Sequence, residues 1–155
     1  MLLFIFCGEV ASEETTVETT IETTEEREMT YDKTYSAPPA MNINESGKYS
    51  AVIETSLGSI EIELFTDIAP VTVNNFVNLS NDGYYDNVIF HRVIKGFMIQ
   101  GGDPSGTGHG EMGKYPGYEF QVELNNPMKY EKGIVAMANR GPDTNAVSYT
   151  HLTLP

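Results

Sequence analysis

The stretch FHRVIKGFMIQGGDPSGTGHG, residues 90–110, is the densest in the chain. It sets Arg92 just ahead of Phe97, Met98 and Gln100 and carries six glycines, at 96, 101, 102, 106, 108 and 110. Two runs of β-forming residues, VIFHRVI and FMIQGG, flank Lys95-Gly96, the pattern of two strands joined by a turn. Side chains alternate along a strand, so Arg92 and Val93 fall on opposite faces, as do Met98 and Ile99. One strand pair can therefore send Arg92, Met98 and Gln100 to one surface while Val93 and Ile99 pack elsewhere. A Phe or Met in a strand is most often core, whereas a guanidinium is rarely placed among apolar residues without work to do.

Working outward, YSAVIETSLGSIEIELF reads as two strands around a short glycine turn, because Ile60, Ile62 and Leu64 alternate with Glu61 and Glu63. DIAPVTVNNFVNLSNDGYY reads as a helix, with Pro70 where a first helical residue is tolerated and Gly83 where a helix ends. Its apolar face is Val73, Phe76 and Val77. A Gly/Pro-rich loop fills 101–118, and YEFQVEL and KGIVAMAN read as strands five and six. Strands dominate, which gives a mainly β class and suits a closed or nearly closed antiparallel barrel with a helix over one mouth.

Charge divides the chain. Residues 1–33 hold nine acidic and two basic residues, net −7, and the remaining 122 hold thirteen and seven, net −6, together the −13 of the whole. That balance argues against nucleic acid as a partner, since a phosphate backbone needs a basic face. The acidic excess sits in GEVASEETTVETTIETTEEREMT, too poor in apolar residues to offset its ordering entropy, and YSAPPAMNINESGK adds Pro-Pro and small polar residues. Residues 8–47 therefore read as a disordered acidic Thr/Glu-rich tether, with the folded domain over 48–145. The opening MLLFIFC, residues 1–7, is apolar without a basic leader and reads as the remnant of an export signal. Cys7 is the one cysteine, so no internal disulfide forms. It stands where the lipid-bearing cysteine of a bacterial lipoprotein stands; Phe6 is bulkier than the small residue such processing takes, and the other reading is the last residue of a hydrophobic core. These features point to an extracytoplasmic protein, secreted or membrane-tethered in a bacterium.

The usual catalytic sets are missing from the sequence. There is no nucleophile elbow, and GGDPSGTGHG lacks the Gly-Lys-Ser/Thr ending of a phosphate loop. His91, His109 and His151 lack metal-ligand spacing, so a metal site is not expected. Arg92, Phe97, Met98 and Gln100 remain, with a second cluster MANRGPDTN at 137–145.

FHRVIKGFMIQGGDPSGTG resembles the signature of the cyclophilin-type peptidyl-prolyl isomerases; GIVAMANRGPDTN resembles their second motif, and APVTVNNFVNL the helix after their first hairpin. The resemblance covers about residues 48–145 and implies an eight-stranded antiparallel barrel with capping helices. It implies cofactor-free cis/trans isomerisation of X-Pro bonds, by a monomer, in proline-containing peptides and in unfolded or exported proteins. By motif position Arg92 corresponds to the catalytic arginine, and Phe97, Met98 and Gln100 to the proline pocket and its rim. Ala138 and Asn139 correspond to the strand that pairs with substrate, and Gly106 to the loop beside the neighbouring subsite. His91 belongs to the signature too, with bridging of backbone groups in the barrel wall as its structural reading. Asn139 either braces the RGPDTN loop through its side chain or pairs with substrate through its backbone.

The match breaks after GPDTN, where the family continues Gly-Ser-Gln-Phe-Phe and this chain reads AVSYTHLTLP. Residues 146–155 are accordingly expected to be a divergent or foreign tail, and the barrel to be incomplete at the C-terminus. That leaves two other functional readings beside the enzyme: a non-catalytic proline-peptide binding module, and an inactive fragment.

Overall fold

The computed structural model describes residues 31–109, 114–123 and 129–152. Residues 1–30, with the export-signal reading, Cys7 and most of the tether, lie outside the described residues. Seven elements follow in order: β1 (Tyr49–Thr55), β2 (Gly58–Leu64), α1 (Pro70–Asn81), β3 (Arg92–Ile94), β4 (Met98–Gly101), β5 (Val135–Met137) and β6 (Tyr149–Leu152). They form a two-stranded sheet, β1-β2, and a four-stranded one in the order β3-β4-β6-β5, with all pairs antiparallel.

The hairpin follows its alternation. Tyr49 faces Leu64, Ala51 faces Ile62 and Ile53 faces Ile60 on the half-buried side, while Ser50–Glu63 and Val52–Glu61 occupy the wet side. The turn is held by Thr55, whose Oγ1 donates to the Gly58 carbonyl at 2.7 Å and accepts from the Leu57 N–H at 3.1 Å.

Helix α1 begins at a position with no cap of its own. Ala69 is the N-cap and offers no side-chain acceptor, and Pro70 follows at the first turn. The free N–H groups of Val71 and Thr72 are taken instead by the two carboxylate oxygens of Glu123, at 3.0 and 2.8 Å. An anion at this end also complements the helix dipole. At the other end Gly83 adopts φ 65°, and the N–H groups of Gly83 and Tyr84 reach back to the carbonyls of Ser80 and Leu79 at 3.0 and 2.9 Å. This is the Schellman stop, in which a residue without Cβ takes the left-handed turn at little cost.

The deepest residues of α1 are Val73 and Leu79 together with two asparagines, Asn74 and Asn75, only 2% and 1% exposed. Phe76 and Val77, expected on the apolar face, are half-buried. The asparagines are buried because each is satisfied. Asn74 donates to the carbonyls of Pro39 and Ala40 at 3.3 and 3.2 Å and accepts from the Asn42 N–H at 3.1 Å. Asn75 donates to the Ala146 carbonyl at 3.0 Å and accepts from the Tyr118 hydroxyl. Helix α1 is thus a polar clamp on three distant segments.

One of those segments lies within the stretch that composition alone reads as tether. Residues 31–42 lie against the domain: the Tyr31 hydroxyl donates to the Tyr84 carbonyl, Lys33 to the Asp82 carbonyl at the end of α1, and Tyr35 to the Asp82 carboxylate. Rings do the packing that aliphatic side chains do elsewhere. Leu79, Tyr84 and Val147 form the core cluster, with Tyr31, Tyr35 and Tyr85 against it.

One expectation about strands is corrected, and KGIVAMAN supplies β5, the fifth strand rather than the sixth. YEFQVEL does not form a strand over its described residues; it makes a single bridge, Phe120 to Asn145. Its alternation has a different cause, because Phe120 is buried while Glu123 turns to α1. The sixth strand is Tyr149–Leu152, inside the expected tail, seated between β4 and β5. Six strands and one helix are formed among the described residues, and the two sheets do not close into a barrel there.

The remote cap gives a direct test. Glu123→Ala is expected to lower stability by about 1 kcal/mol, within the range of roughly 0.5–2 for lost caps, and Glu123→Gln by less. Urea unfolding followed by circular dichroism measures both; an unchanged midpoint in Glu123→Ala would show that water replaces the carboxylate without cost.

Candidate functional site

The site residues are set by register. Arg92 on β3 lies opposite Gln100 on β4, and Ile94 opposite Met98. Directly paired residues share a face, so Arg92, Ile94, Met98 and Gln100 stand on one side of the sheet. Gln100 in turn faces Thr150, and Thr150 faces Ala136, which carries the same face across all four strands. Ala138, two residues beyond Ala136, donates its N–H to the Ser148 carbonyl at 2.8 Å and continues the row. Three strand spacings of about 4.8 Å separate Arg92 from Ala136, roughly 14 Å, the reach of about four extended residues.

The chemistry along this row is uneven. Met98 is 2% exposed, whereas Phe97, in the turn between β3 and β4, is 46% exposed. Met98 is thus a buried apolar residue of this face, and Phe97 an open apolar residue at the adjoining turn. Arg92 is exposed, and its guanidinium makes no hydrogen bond or ion pair with any described residue. The Gln100 amide, almost buried opposite it, is likewise without a described partner. A cation and an amide whose donors are not spent on the described protein, beside an apolar side chain, can bind a planar amide and an adjoining hydrophobic ring.

Asn139 follows the end of β5 and lines a cavity of ≈ 530 Å³ between β2, α1 and β5 together with Ile62, Val73, Ala136 and Met137. The structure thus brings Arg92, Met98 and Gln100 to one face, continues that row through Ala136 to the Ala138 backbone, and leaves Phe97 exposed in the turn between β3 and β4.

Gly106 lies in the loop after β4, against Ile89. That loop is built on Asp103, fully buried, which accepts from the Ser105 N–H at 2.9 Å, from Ser105 Oγ at 2.7 Å and from Thr107 Oγ1 at 3.3 Å. Asp-Pro-Ser-Gly is a legible turn signal for it. Farther along, Gly108 at φ 79° rests on the His91 ring, where a Cβ would come within 3.2 Å of Nε2. His91 does not bridge backbone groups: both ring nitrogens are shut off from solvent and lack a partner among the described residues. Burial lowers its pKa below the ordinary value, Arg92 and His109 add to that, and Asp103 opposes it. Sequence reasoning missed the ion pair between Arg140 and Glu119, at 2.8 Å. No local signal could reveal a pair 21 residues apart. Among the described residues no group of three His, Cys, Asp or Glu could hold a metal ion, and no helix is long and apolar enough to cross a membrane.

Residues 50–153 match the family model of cyclophilin type peptidyl-prolyl cis-trans isomerase/CLD. The chain belongs to the cyclophilin-type peptidyl-prolyl isomerases. It is 50% identical over 99 residues to peptidyl-prolyl cis-trans isomerase-like 1 of Gibberella zeae, covering 63% of this chain and 60% of that protein. It is 51% identical over 98 residues to the human protein of the same name, covering 63% and 58%. A crystal structure of a cyclophilin type peptidyl-prolyl cis-trans isomerase of Cryptosporidium parvum, in the presence of the dipeptide Ala-Pro, superposes with a TM-score of 0.61 at 39% identity, covering 68% of each chain. The chain spans about three fifths of the length of the curated relatives it matches. Residues 31–42, which the structure lays along the domain, precede the region the family model matches.

The depressed His91 pKa has a signed consequence. The unfolded ring takes a proton near its ordinary value of about 6.5, while the buried ring resists, so stability falls as pH drops below that value. Between about pH 7.5 and about pH 5.5 the parent should lose more unfolding free energy than His91→Gln. Identical pH slopes from urea titrations would contradict it.

Proposed function

We propose that this cyclophilin chain catalyses cis/trans isomerisation of X-Pro peptide bonds, with Arg92 stabilising the twisted transition state. The observation that carries the proposal is the exposed Arg92 guanidinium, unpaired among the described residues, directly across from Gln100 and on the face of Met98. Amide resonance sets a barrier of about 18–20 kcal/mol, and uncatalysed X-Pro isomerisation takes tens to hundreds of seconds. No bond is made or broken, so neither nucleophile nor base is required. In the twisted state the prolyl nitrogen leaves conjugation and gains a lone pair. A rigid, permanently charged N–H fork can donate to that lone pair and gains little from the planar ground state, which is selective transition-state binding.

In this reading Met98 and Phe97 hold the proline ring, Gln100 meets the neighbouring amide, and the backbone of Ala138 and Asn139 pairs with the peptide beside it. Gly106 borders the next subsite. The Ala-Pro dipeptide present with the Cryptosporidium parvum structure supports a proline peptide as ligand. The two sheets are read as part of the family's eight-stranded barrel, with the cavity between β2, α1 and β5 facing its interior. On this reading the chain assists exported proteins from an extracytoplasmic location, tethered through lipid on Cys7; acyl labelling of Cys7 in cells would test the tether.

A second reading, a non-catalytic proline-peptide binder, is favoured by the exposed Phe97 side chain, which could hold a ring without help from Arg92. One variant separates the two. Arg92→Ala should slow exchange of a proline peptide by about 10²–10³, the cost of a lost preorganised donor. Stability should move by roughly 1 kcal/mol or less, as for an exposed side chain. Arg92→Lys should also be impaired, since a point charge on a flexible stem does not reproduce the fork. NMR exchange spectroscopy with parallel thermal melts measures this. A parent that binds Ala-Pro without accelerating exchange is a binder, and an Arg92→Ala variant with the parent rate removes the arginine from the mechanism.

A further inference from the structure

We propose that Arg140 is a positioning residue that fixes the separation of the two loops rimming the site; this rests on the isomerase reading above. β4 and β5 both pair antiparallel with β6, so they run in the same direction and their following loops leave one end of the sheet. The loop after β4 starts one residue past Gly101 and carries Gly106 and Gly108; the loop after β5 starts at Ala138. β6 lies between them, so two strand spacings, roughly 10 Å, separate their origins.

Arg140 spans that gap. Its Nη2 donates to Glu119 Oε1 at 2.8 Å, and its Nη1 donates to the His109 carbonyl at 3.5 Å. Both backbones behind the ion pair are fixed independently. The Arg140 N–H donates to Thr144 Oγ1 at 2.8 Å, and that hydroxyl donates to the Gly141 carbonyl at 2.8 Å. Glu119 precedes Phe120, which is buried and whose N–H donates to the Asn145 carbonyl at 2.9 Å. The guanidinium therefore adds little to holding its own loop. What it adds is a link to the third segment, through His109, next to the Gly108 that rests on His91, itself beside Arg92.

Energetics point the same way. The two side chains are 49% and 42% exposed. Exposed pairs contribute little to folding and are screened by salt, with a Debye length of about 3 Å at 1 M. The contact to the His109 carbonyl is at the long limit of a hydrogen bond, a hold that yields readily. Such a link sets loop spacing without setting stability. Because it touches neither the prolyl nitrogen nor its carbonyl, it affects ground state and transition state alike, and its loss belongs in KM rather than kcat.

The test uses the full chain, with a proline peptide as substrate in exchange spectroscopy and hydrogen–deuterium exchange of residues 104–109 as a second readout. Arg140→Ala should raise KM roughly two- to fivefold, the scale of an exposed pair, with kcat within about twofold. Loop amides should exchange faster by a similar factor. Arg140→Lys keeps the charge but loses the fork, and should fall between. In about 1 M NaCl the parent should approach the Arg140→Ala values while the variant barely responds, a signature that packing loss would not give. A drop in kcat at constant KM, or loop exchange equal in parent and Arg140→Ala, would overturn the proposal. If the parent does not accelerate peptide exchange, the isomerase reading fails, and the loop exchange still decides whether Arg140 positions the loop.

Discussion

The pairing of β3 with β4 is the constraint on which the site depends. Arg92, Ile94, Met98 and Gln100 stand together only because Arg92 meets Gln100 and Ile94 meets Met98. A slip of one residue would carry Met98 and Gln100 to the opposite face and leave Arg92 opposite a hydrophobic neighbour. The register is short, three pairs, and β4 is fixed on its other side by four pairs to β6. β6 therefore does more than add a strand: it prevents β4 from sliding and carries the shared face on to Ala136. The open guanidinium at one end of the row and the backbone of Ala138 at the other are products of a single ladder.

Much of this is legible in the order of the residues alone. The hairpin's alternation names its wet and half-buried faces, because Glu61 and Glu63 cannot be buried unpaired. Pro70 and Gly83 bound α1 to within two residues, since each does at a helix end what few other residues can. Period two alone puts Met98 with Gln100 and Arg92 with Ile94; that the two pairs share one face is set by the β3–β4 register. What escapes such reading is non-local. Asn74 and Asn75 read as a polar helix face, yet they are buried because Pro39, Ala40, Asn42 and Ala146 bring acceptors and a donor to them. Tyr31 and Tyr35 sit in low-complexity surroundings, and their docking depends on the carbonyl and carboxylate groups at the end of α1. Residues 88–91 look like strand, but the loop after β4 folds onto Ile89 and His91, and pairing starts at Arg92.

Polar groups carry an unusual share of the packing. The core cluster holds one leucine, one valine and one tyrosine with three more tyrosines packed against it, and tyrosine hydroxyls around it reach out of the apolar layer to backbone carbonyls. Where they find no partner among the described residues, as for Tyr84 and Tyr85, burial pushes the hydroxyl pKa upward. Edge-on contacts such as Tyr31 with Tyr84, at 5.2 Å between ring centres, bind residues 31–35 to the domain through ring electrostatics as well as area. Attachment of that segment is thus directional, which suits a stretch with few aliphatic side chains.

The Glu123 carboxylate on the first turn of α1 also fixes an order of events during synthesis. Val71 and its partner are 52 residues apart. At about 5–20 residues per second, the ribosome finishes the helix at Asn81 roughly 2–8 s before it makes Glu123. Throughout that interval Ala69 and Pro70 leave the nascent helix with bare donors at its leading end, open to any passing anion or to a chaperone's acidic groove. The arrival of Glu123 ends that exposure, so a helix written early in the chain is completed only by a residue written late.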